Sequence, residues 1–144
     1  MNHIPTIGSV MTPFPHVVQV DDSLPVATAL MVEHAVRHLP VKEGNRLVGL
    51  LTDRDLKRAV DPELGLPPRE ELFVRDVFIP EPYVVDAATP LDEVLEQLAS
   101  QHIGSALVTK KERLVGIFTA MDACRIYCAH LRSLFPSPPN DEAA

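Results

Sequence analysis

The sequence has no excess of positive charge. Twenty acidic residues stand against 13 basic ones, for a formal net charge of −7. A protein that tracks a nucleic-acid backbone normally presents the opposite balance, so the composition argues against a nucleic-acid partner. A small anionic ligand is not excluded, because it needs only two or three local cations and some backbone N–H groups. No apolar run approaches the length of a membrane span, which argues against a membrane partner. The opening Met1-Asn2-His3-Ile4-Pro5 lacks the charged-then-apolar pattern of a signal peptide, and a cytoplasmic protein is expected. Cysteine is scarce: only Cys124 and Cys128, four apart on one face of an expected helix. That spacing does not suit an intrahelical disulfide, and only His130 stands near enough to add a metal ligand. Buried or half-buried thiols in a reducing compartment are expected, with no metal site. Gly-rich phosphate loops, zinc-type spacings and a Ser/His/Asp arrangement are all missing, so no catalytic residue is assigned and no enzyme is expected.

What is present is a duplication. The 144 residues, 46% apolar and 23% charged, suffice for one core or for two small ones sharing a face. At an offset of 67, Val10 falls on Val77, Pro13 on Pro80, Pro15 on Pro82, Val17-Val18 on Val84-Val85 and Leu24 on Leu91. Further along, Val41 falls on Val108, Arg46-Leu47-Val48-Gly49 on Arg113-Leu114-Val115-Gly116, and Thr52 and Asp55 on Thr119 and Asp122. Prolines, a glycine and a Thr-x-x-Asp in one gapless register define two copies of one unit.

Each copy opens on a Pro-rich stretch, Met11–Pro15 or Phe78–Pro82, which favours extended chain. A strand follows, near His16–Val20 or Tyr83–Asp86. A helix comes next. Its apolar face is Leu24, Ala27, Leu30, Met31 and Val36 in the first copy, where Asp21-Asp22 reads as the helix start. In the second copy the face is Leu91, Val94, Leu95 and Leu98, behind a Thr89-Pro90-Leu91-Asp92 cap. Two strands joined by a short loop follow: His38–Lys42 with Arg46–Leu51, and Ser105–Thr109 with Arg113–Phe118. A last helix starts at Thr52 or Thr119. The expected fold is α+β, tandem β-α-β-β-α units packed with pseudo-twofold symmetry. The units span 7–60 and 73–132, joined by a Pro/Gly-bearing linker at 61–72 and followed by a disordered tail at 133–144. Each half alone is near the lower size limit for a stable core, so the halves should pack together and leave a ligand cleft between them.

Gly49-Leu50-Leu51-Thr52-Asp53-Arg54-Asp55 and Gly116-Ile117-Phe118-Thr119-Ala120-Met121-Asp122 resemble the Gly-apolar-apolar-Thr/Ser-x-x-Asp signature of cystathionine-β-synthase-type (CBS) domains. Val10-Met11-Thr12 resembles that family's opening motif, and Arg37-His38-Leu39-Pro40-Val41 its second-strand motif. The resemblance covers about residues 7–130. It implies a pseudo-twofold pair, a Bateman module, with two clefts that commonly hold AMP, ADP, ATP or S-adenosylmethionine. It also implies a homodimer, no required cofactor, no chemistry of its own, and a regulated partner protein acting in trans. In the family the Asp holds the ribose and the Thr lies beside the ribose or phosphate.

Two roles are open for Thr52 with Asp55 and for Thr119 with Asp122. A Thr with a carboxylate three residues later is a capping box. The same geometry can present helix N–H groups to an anion and a carboxylate to a ribose diol. Arg37, His38 and Arg54, with Asp53 inside the same turn, are either solvated surface or a phosphate cradle. The second copy carries Gly104-Ser105 and Ala120-Met121 at these places, so a site built there is less basic and the two sites are not equivalent. Val17, Leu39, Tyr83 and Ala106 are adenine candidates or ordinary core. Thr12, Pro40 and Ile79 complete the candidate set through the motifs they belong to. His34 and His38, four apart, straddle a helix end and do not read as a metal pair. A purely structural dimerisation module with degenerate clefts is the alternative function.

Overall fold

The structure, a computed structural model, describes residues 3–137. The chain runs α1 (Ile7–Val10), β1 (Thr12–Pro13), β2 (Val18–Gln19), α2 (Leu24–His34), β3 (His38–Glu43), β4 (Arg46–Thr52) and α3 (Asp53–Ala59). Three 3-10 turns at Pro62–Leu64, Arg69–Glu71 and Val74–Asp76 lead into β5 (Ile79–Pro80), β6 (Val84–Asp86) and α4 (Leu91–Gln101). The chain ends with β7 (Ser105–Lys110), β8 (Arg113–Thr119) and α5 (Ala120–Leu134). Both halves have the expected α+β composition and the same topology.

Each half folds around a parallel β2–β3 or β6–β7 pair and an antiparallel hairpin, β3–β4 or β7–β8. Both hairpins carry the same irregularity, after Val41 and after Val108, which leaves Val48 and Val115 as the extra residues. Their tips differ. Gly44 supplies the positive φ of the first tip at 63°, whereas Lys111 and Glu112 take 52° and 66° in the second, a conformation costly for residues with a Cβ.

The short opening strands are exchanged between the halves. β1 pairs with β8, Thr12 opposite Ile117, and β5 pairs with β4, Ile79 opposite Leu50. The sheets are therefore β1-β8-β7-β6 and β2-β3-β4-β5. The backbone bonds that dock the two opening segments are the same in each half. Leu91 N–H donates to Pro5 O at 2.8 Å and Leu24 N–H to Leu72 O at 3.0 Å. Ile7 N–H donates to Thr89 O at 2.7 Å and Val74 N–H to Asp22 O at 2.8 Å. Apolar burial drives the exchange. Ile7 is fully buried among Leu91, Val94, Val108 and Phe118 of the second half, while Leu72 and Val74 close the core built on Leu24, Leu39, Val41 and Leu51 of the first. Each such side chain is worth about 1.5–3 kcal/mol when removed from water.

Several local expectations are corrected. α2 begins at Leu24 with Ser23 as its cap, the Ser23 hydroxyl accepting from Val26 N–H at 3.3 Å. Asp22 instead closes the preceding turn by accepting from Gln19 N–H at 2.8 Å, so Asp21-Asp22 is not the helix start. α4 is capped at Pro90 rather than Thr89 and has no side-chain cap bond. Val36 lies beyond α2, past a left-handed Ala35, and returns to the core through its N–H to Met31 O at 3.0 Å. Leu95 sits at the exposed edge of its helix. The 61–72 segment ends in Leu72, a core residue, and so forms part of the first unit's packing. Ser133 and Leu134 belong to α5; the tail expected over 133–144 lies outside the described residues from 138 on. Among the described residues no helix is long and apolar enough to cross a membrane.

Candidate ligand site at the paired helix N-termini

Strand passes into helix without a loop at both repeats. Thr52 ends β4 and caps α3, and Thr119 ends β8 and caps α5. Asp55 Oδ2 accepts from Thr52 N–H and from Thr52 Oγ1–H, both at 2.8 Å, while Thr52 Oγ1 accepts from Asp55 N–H at 3.2 Å. Asp122 repeats this at 2.9, 3.0 and 3.2 Å. The capping-box role is therefore present at both positions. It uses only one oxygen of each carboxylate. Asp55 Oδ1 accepts no bond from the described residues, and Asp122 Oδ1 meets Arg125 Nη1 at 3.2 Å. Capping and ligand binding are thus compatible on the same side chain, through its two oxygens.

Strand alternation decides what faces the junction. Leu39 and Val41 point into the first core, so His38 and Pro40 point to the opposite face. Ala106 and Val108 point into the second core, so Ser105 and Leu107 point the other way. That opposite face is the layer between the repeats, built on Leu50, Leu107 and Ile117 with Leu47 and Leu114 beside them. His38 lies opposite Thr52 in the ladder, and Ser105 opposite Thr119. The imidazole of His38 crosses to the second repeat. A Cβ placed on Gly104 would sit 3.2 Å from its Nε2, so the glycine makes room for the ring.

Burial holds the His38 pKa below the ordinary histidine value of 6.5; Asp55 pulls the other way, Arg37 lowers it further, and Asp122 and Asp53 raise it. The backbone places the same ring between both helix N-termini: His38 lies opposite Thr52, and it reaches Gly104, whose carbonyl accepts from Ala120 N–H at 2.9 Å. Beside it, Ser105 is only 4% exposed, and its hydroxyl finds no hydrogen-bond partner among the described residues.

The remaining candidates separate into three groups. Arg37 and Arg54 are exposed cations at the first repeat's turn, and Asp53 is paired with Lys57 at 3.0 Å. Met121, the counterpart of Arg54, is exposed, and Val17 and Tyr83 are half-buried beside the parallel strands. The side chains of Leu39 and Ala106 are fully enclosed in their own repeats' cores, and Pro40 is enclosed in the layer between the sheets. Thr12 and Ile79 change sides through the strand exchange: Thr12 stands by Ile117 and Ile79 by Leu50.

Sequence reasoning missed the parts supplied by this exchange. A Cβ on Gly49 would collide with the Phe78 ring and Ile79 O, and one on Gly116 with the Met11 side chain. The two signature glycines are thus the seats of the crossing segments, a signal legible only once the pairing is known. The thiols of Cys124 and Cys128 are exposed, contrary to the expectation of burial. His34 stacks on His16, ring centroids 3.5 Å apart, rather than pairing with His38. Two shallow depressions lie elsewhere. One of about 560 Å³ sits at the hairpin tips among Glu43, Arg46, Leu47, Thr109 and Glu112, and one of about 450 Å³ lies beside Gly8, Met11, Ala87 and Lys110. Neither is lined by Asp55 or Asp122, so neither coincides with the candidate site.

A duplicated half with exchanged opening strands and two capped Thr-x-x-Asp turns around a shared imidazole defines a tandem-repeat module. The chain belongs to the CBS domain family, whose model matches residues 7–62 and again 74–128. It is similar to the crystal structure of a putative acetoin utilization protein, AcuB, from Vibrio cholerae. That match has 27% identity and a TM-score of 0.81, and covers 95% of this chain and 100% of that one. It is also similar to CBSX2 crystallised in complex with AMP, at 30% identity and a TM-score of 0.76, over 89% of this chain and 99% of that one. A homoserine O-acetyltransferase from Methanococcoides burtonii is 32% identical over 126 residues; these are 84% of this chain but 24% of that protein.

Proposed function

We propose that this chain is a regulatory module that binds an adenosine-containing ligand at the junction of α3 and α5 and, by doing so, controls a partner protein in trans. The ligand class is AMP, ADP, ATP or S-adenosylmethionine, and the chain performs no reaction of its own. The observation that carries the reading is the meeting of the two capped helix N-termini at His38, which lies opposite Thr52 and reaches Gly104 beside Ala120, in a chain 30% identical to a protein crystallised with AMP. The free Oδ1 of Asp55 suits a ribose diol. Arg37, His38 and Arg54 suit a phosphate, which favours the first repeat's turn for a nucleotide. Gly104, Ser105, Ala120 and Met121 suit a less charged adenosine compound. A ligand touching both repeats shifts the population of their relative arrangements by its differential affinity, and that shift is what a partner reads. A cytoplasmic setting fits this role.

Native mass spectrometry of the purified protein, followed by calorimetry with the four ligands, tests the proposal. Binding of at least one ligand, at one or two per chain, is expected; no response to any of the four refutes it. The loss of basic residues in the second repeat, where Gly104-Ser105 and Ala120-Met121 stand for Arg37-His38 and Asp53-Arg54, favours a second reading, a structural pairing module without ligand. That reading predicts an unresponsive protein that still self-associates.

A further inference from the structure

The N-terminus of α5 lacks the cations that attend its twin. Arg37, His38 and Arg54 stand at the α3 turn, whereas the same places around α5 hold Gly104, Ser105 and Met121. Two features of the α5 turn are not explained by packing. Ser105 lies opposite Thr119, the cap of this fifteen-residue helix, and shares the parity of Leu107, so its side chain points into the layer between the repeats. It is 4% exposed, and its hydroxyl has no hydrogen-bond partner among the described residues. A buried hydroxyl is costly to leave unpaired, so a partner from outside the fold is called for.

The second feature is the neighbour of Gly104. A Cβ there would lie 3.2 Å from His38 Nε2 and 3.8 Å from His38 Cε1, so the imidazole of the first repeat takes the room that a side chain at position 104 would need. Gly104 O accepts from Ala120 N–H at 2.9 Å, which sets the ring beside the first residue of α5. On its own side, Asp53 N–H donates to Arg37 O at 2.9 Å, and His38 lies opposite Thr52. One imidazole thus borders the positive ends of two helix dipoles. Of the first three N–H groups of α5, that of Ala120 goes to Gly104 O and that of Asp122 to Thr119 Oγ1, which leaves the N–H of Met121 for an anion. Arg125, 3.2 Å from Asp122 Oδ1, offsets the carboxylate charge that would repel one.

We propose that His38 is a cation shared by two sites: with the Ser105 hydroxyl and Met121 N–H it binds an anionic group at the α5 N-terminus, and with Arg37 and Arg54 it binds another at the α3 N-terminus. The inference rests on the adenosine-ligand reading above and narrows it. A single imidazole suits a ligand with one anionic group, so the second site takes a nucleoside monophosphate. The two sites then communicate through one proton, because a ring protonated for one anion is already protonated for the other. The charged groups bearing on the ring are Asp55, Arg37 and Asp53 of the first repeat and Asp122 of the second, and burial favours its neutral form in the free chain. Where each phosphate raises the proton affinity of the ring about tenfold, filling one site tightens the other about two- to threefold near pH 7. At pH 9 the ring stays largely neutral and that gain disappears.

Histidine-selective NMR, following the titration of His38 with and without saturating AMP, tests the sharing in two variants that each keep one site. Asp122→Ala keeps the α3 site and Asp55→Ala the α5 site; Asp122→Asn and Asp55→Asn serve should an alanine variant fail to fold. AMP should raise the His38 midpoint in both variants, and most in the wild type. Ser105→Ala, added to Asp55→Ala, should weaken AMP roughly three- to tenfold without lowering the melting temperature, since the hydroxyl has no bond within the chain to lose. A midpoint that moves only in Asp122→Ala confines the ring to its own repeat and overturns the proposal, while adenosine binding stands. So does an Asp55→Ala variant that no longer takes up AMP, or a Ser105→Ala change that costs stability and no affinity. A wild type that binds no AMP removes the adenosine reading itself, and the proposal with it.

Discussion

Replacing Asp55 with alanine separates the two tasks that its carboxylate can perform. Oδ2 is the acceptor for Thr52 N–H and Thr52 Oγ1–H, and both bonds are lost, whereas the Thr52 hydroxyl still accepts from residue 55 N–H. Half of the capping box therefore survives. The cost should be about 1 kcal/mol, within the 0.5–2 kcal/mol seen for caps. For a chain of this size that lowers the melting temperature by about 2–6 °C. The effect on a ribose is larger, because hydrogen bonds to a charged acceptor contribute about 1.5–3 kcal/mol. Affinity for AMP should fall roughly ten- to 150-fold. Pairing the variant with 2′-deoxy-AMP isolates the contact: the wild type should prefer AMP, and Asp55→Ala should bind the two nucleotides alike. Calorimetry measures the affinities, thermal denaturation the cap, and Asp122→Ala runs the same comparison at the other repeat. The reasoning fails if both alanine variants retain wild-type affinity and full AMP preference while losing only stability, since both carboxylates are then caps alone.

His38 carries a pH signature. Its folded pKa lies below the ordinary value of 6.5, so the unfolded chain binds the proton more readily, and the stabilisation from the neutral ring is complete above about 6.5 and falls as pH drops through the window beneath it. Melting temperature should decline from pH 7.5 to 5, and His38→Asn should flatten the part of that decline due to this residue; an identical pH profile in the variant contradicts the assignment. A phosphate beside the ring favours its protonated form, so affinity for AMP, but not for adenosine, should rise from pH 8 to 6, as isothermal titration at each pH would show. Gly49→Ala should cost about 1–3 kcal/mol by forcing Phe78 and Ile79 off the sheet, and Gly116→Ala less because Met11 is flexible; equal, negligible losses in urea titration would mean that the crossings are not seated there. Ile7→Ala should cost about 2–5 kcal/mol, with amide exchange loosened first in β6–β8, although residue 7 precedes the first repeat's strands; loosening confined to β2–β4 would contradict the exchange.

The duplication was legible because it rests on side-chain types that recur in register, and the hairpins because alternation and a short loop announce them. Thr52-x-x-Asp55 and Thr119-x-x-Asp122 were legible as helix starts because a capping box is a local device. The exchange of β1 and β5 was not. Two-residue strands carry too little pattern to say which sheet they join, and burial depends on contacts about 80 to 110 residues away in sequence for Ile7 and tens of residues away for Leu72 and Val74. The same limit applied to the site. His38 could be named as a candidate cation, but its contact with Gly104 and its exposure to Asp122 cross the repeat interface, where no local pattern reaches. Leu39 and Ala106 read equally well as adenine contacts or core, and no local pattern showed that their side chains would be fully buried. Cys124 and Cys128 were expected inside because helix periodicity shows that two residues share a face without saying which way that face turns.

The most direct test of the central claim is a crystal structure of the protein grown with saturating AMP. The account predicts electron density for the nucleotide at the α3–α5 junction, with the ribose hydroxyls within hydrogen-bond distance of Asp55 or Asp122 and the phosphate toward His38, Arg37 or Arg54. Nucleotide density confined to the depression at the hairpin tips, or none at a concentration that saturates binding in solution, would contradict it.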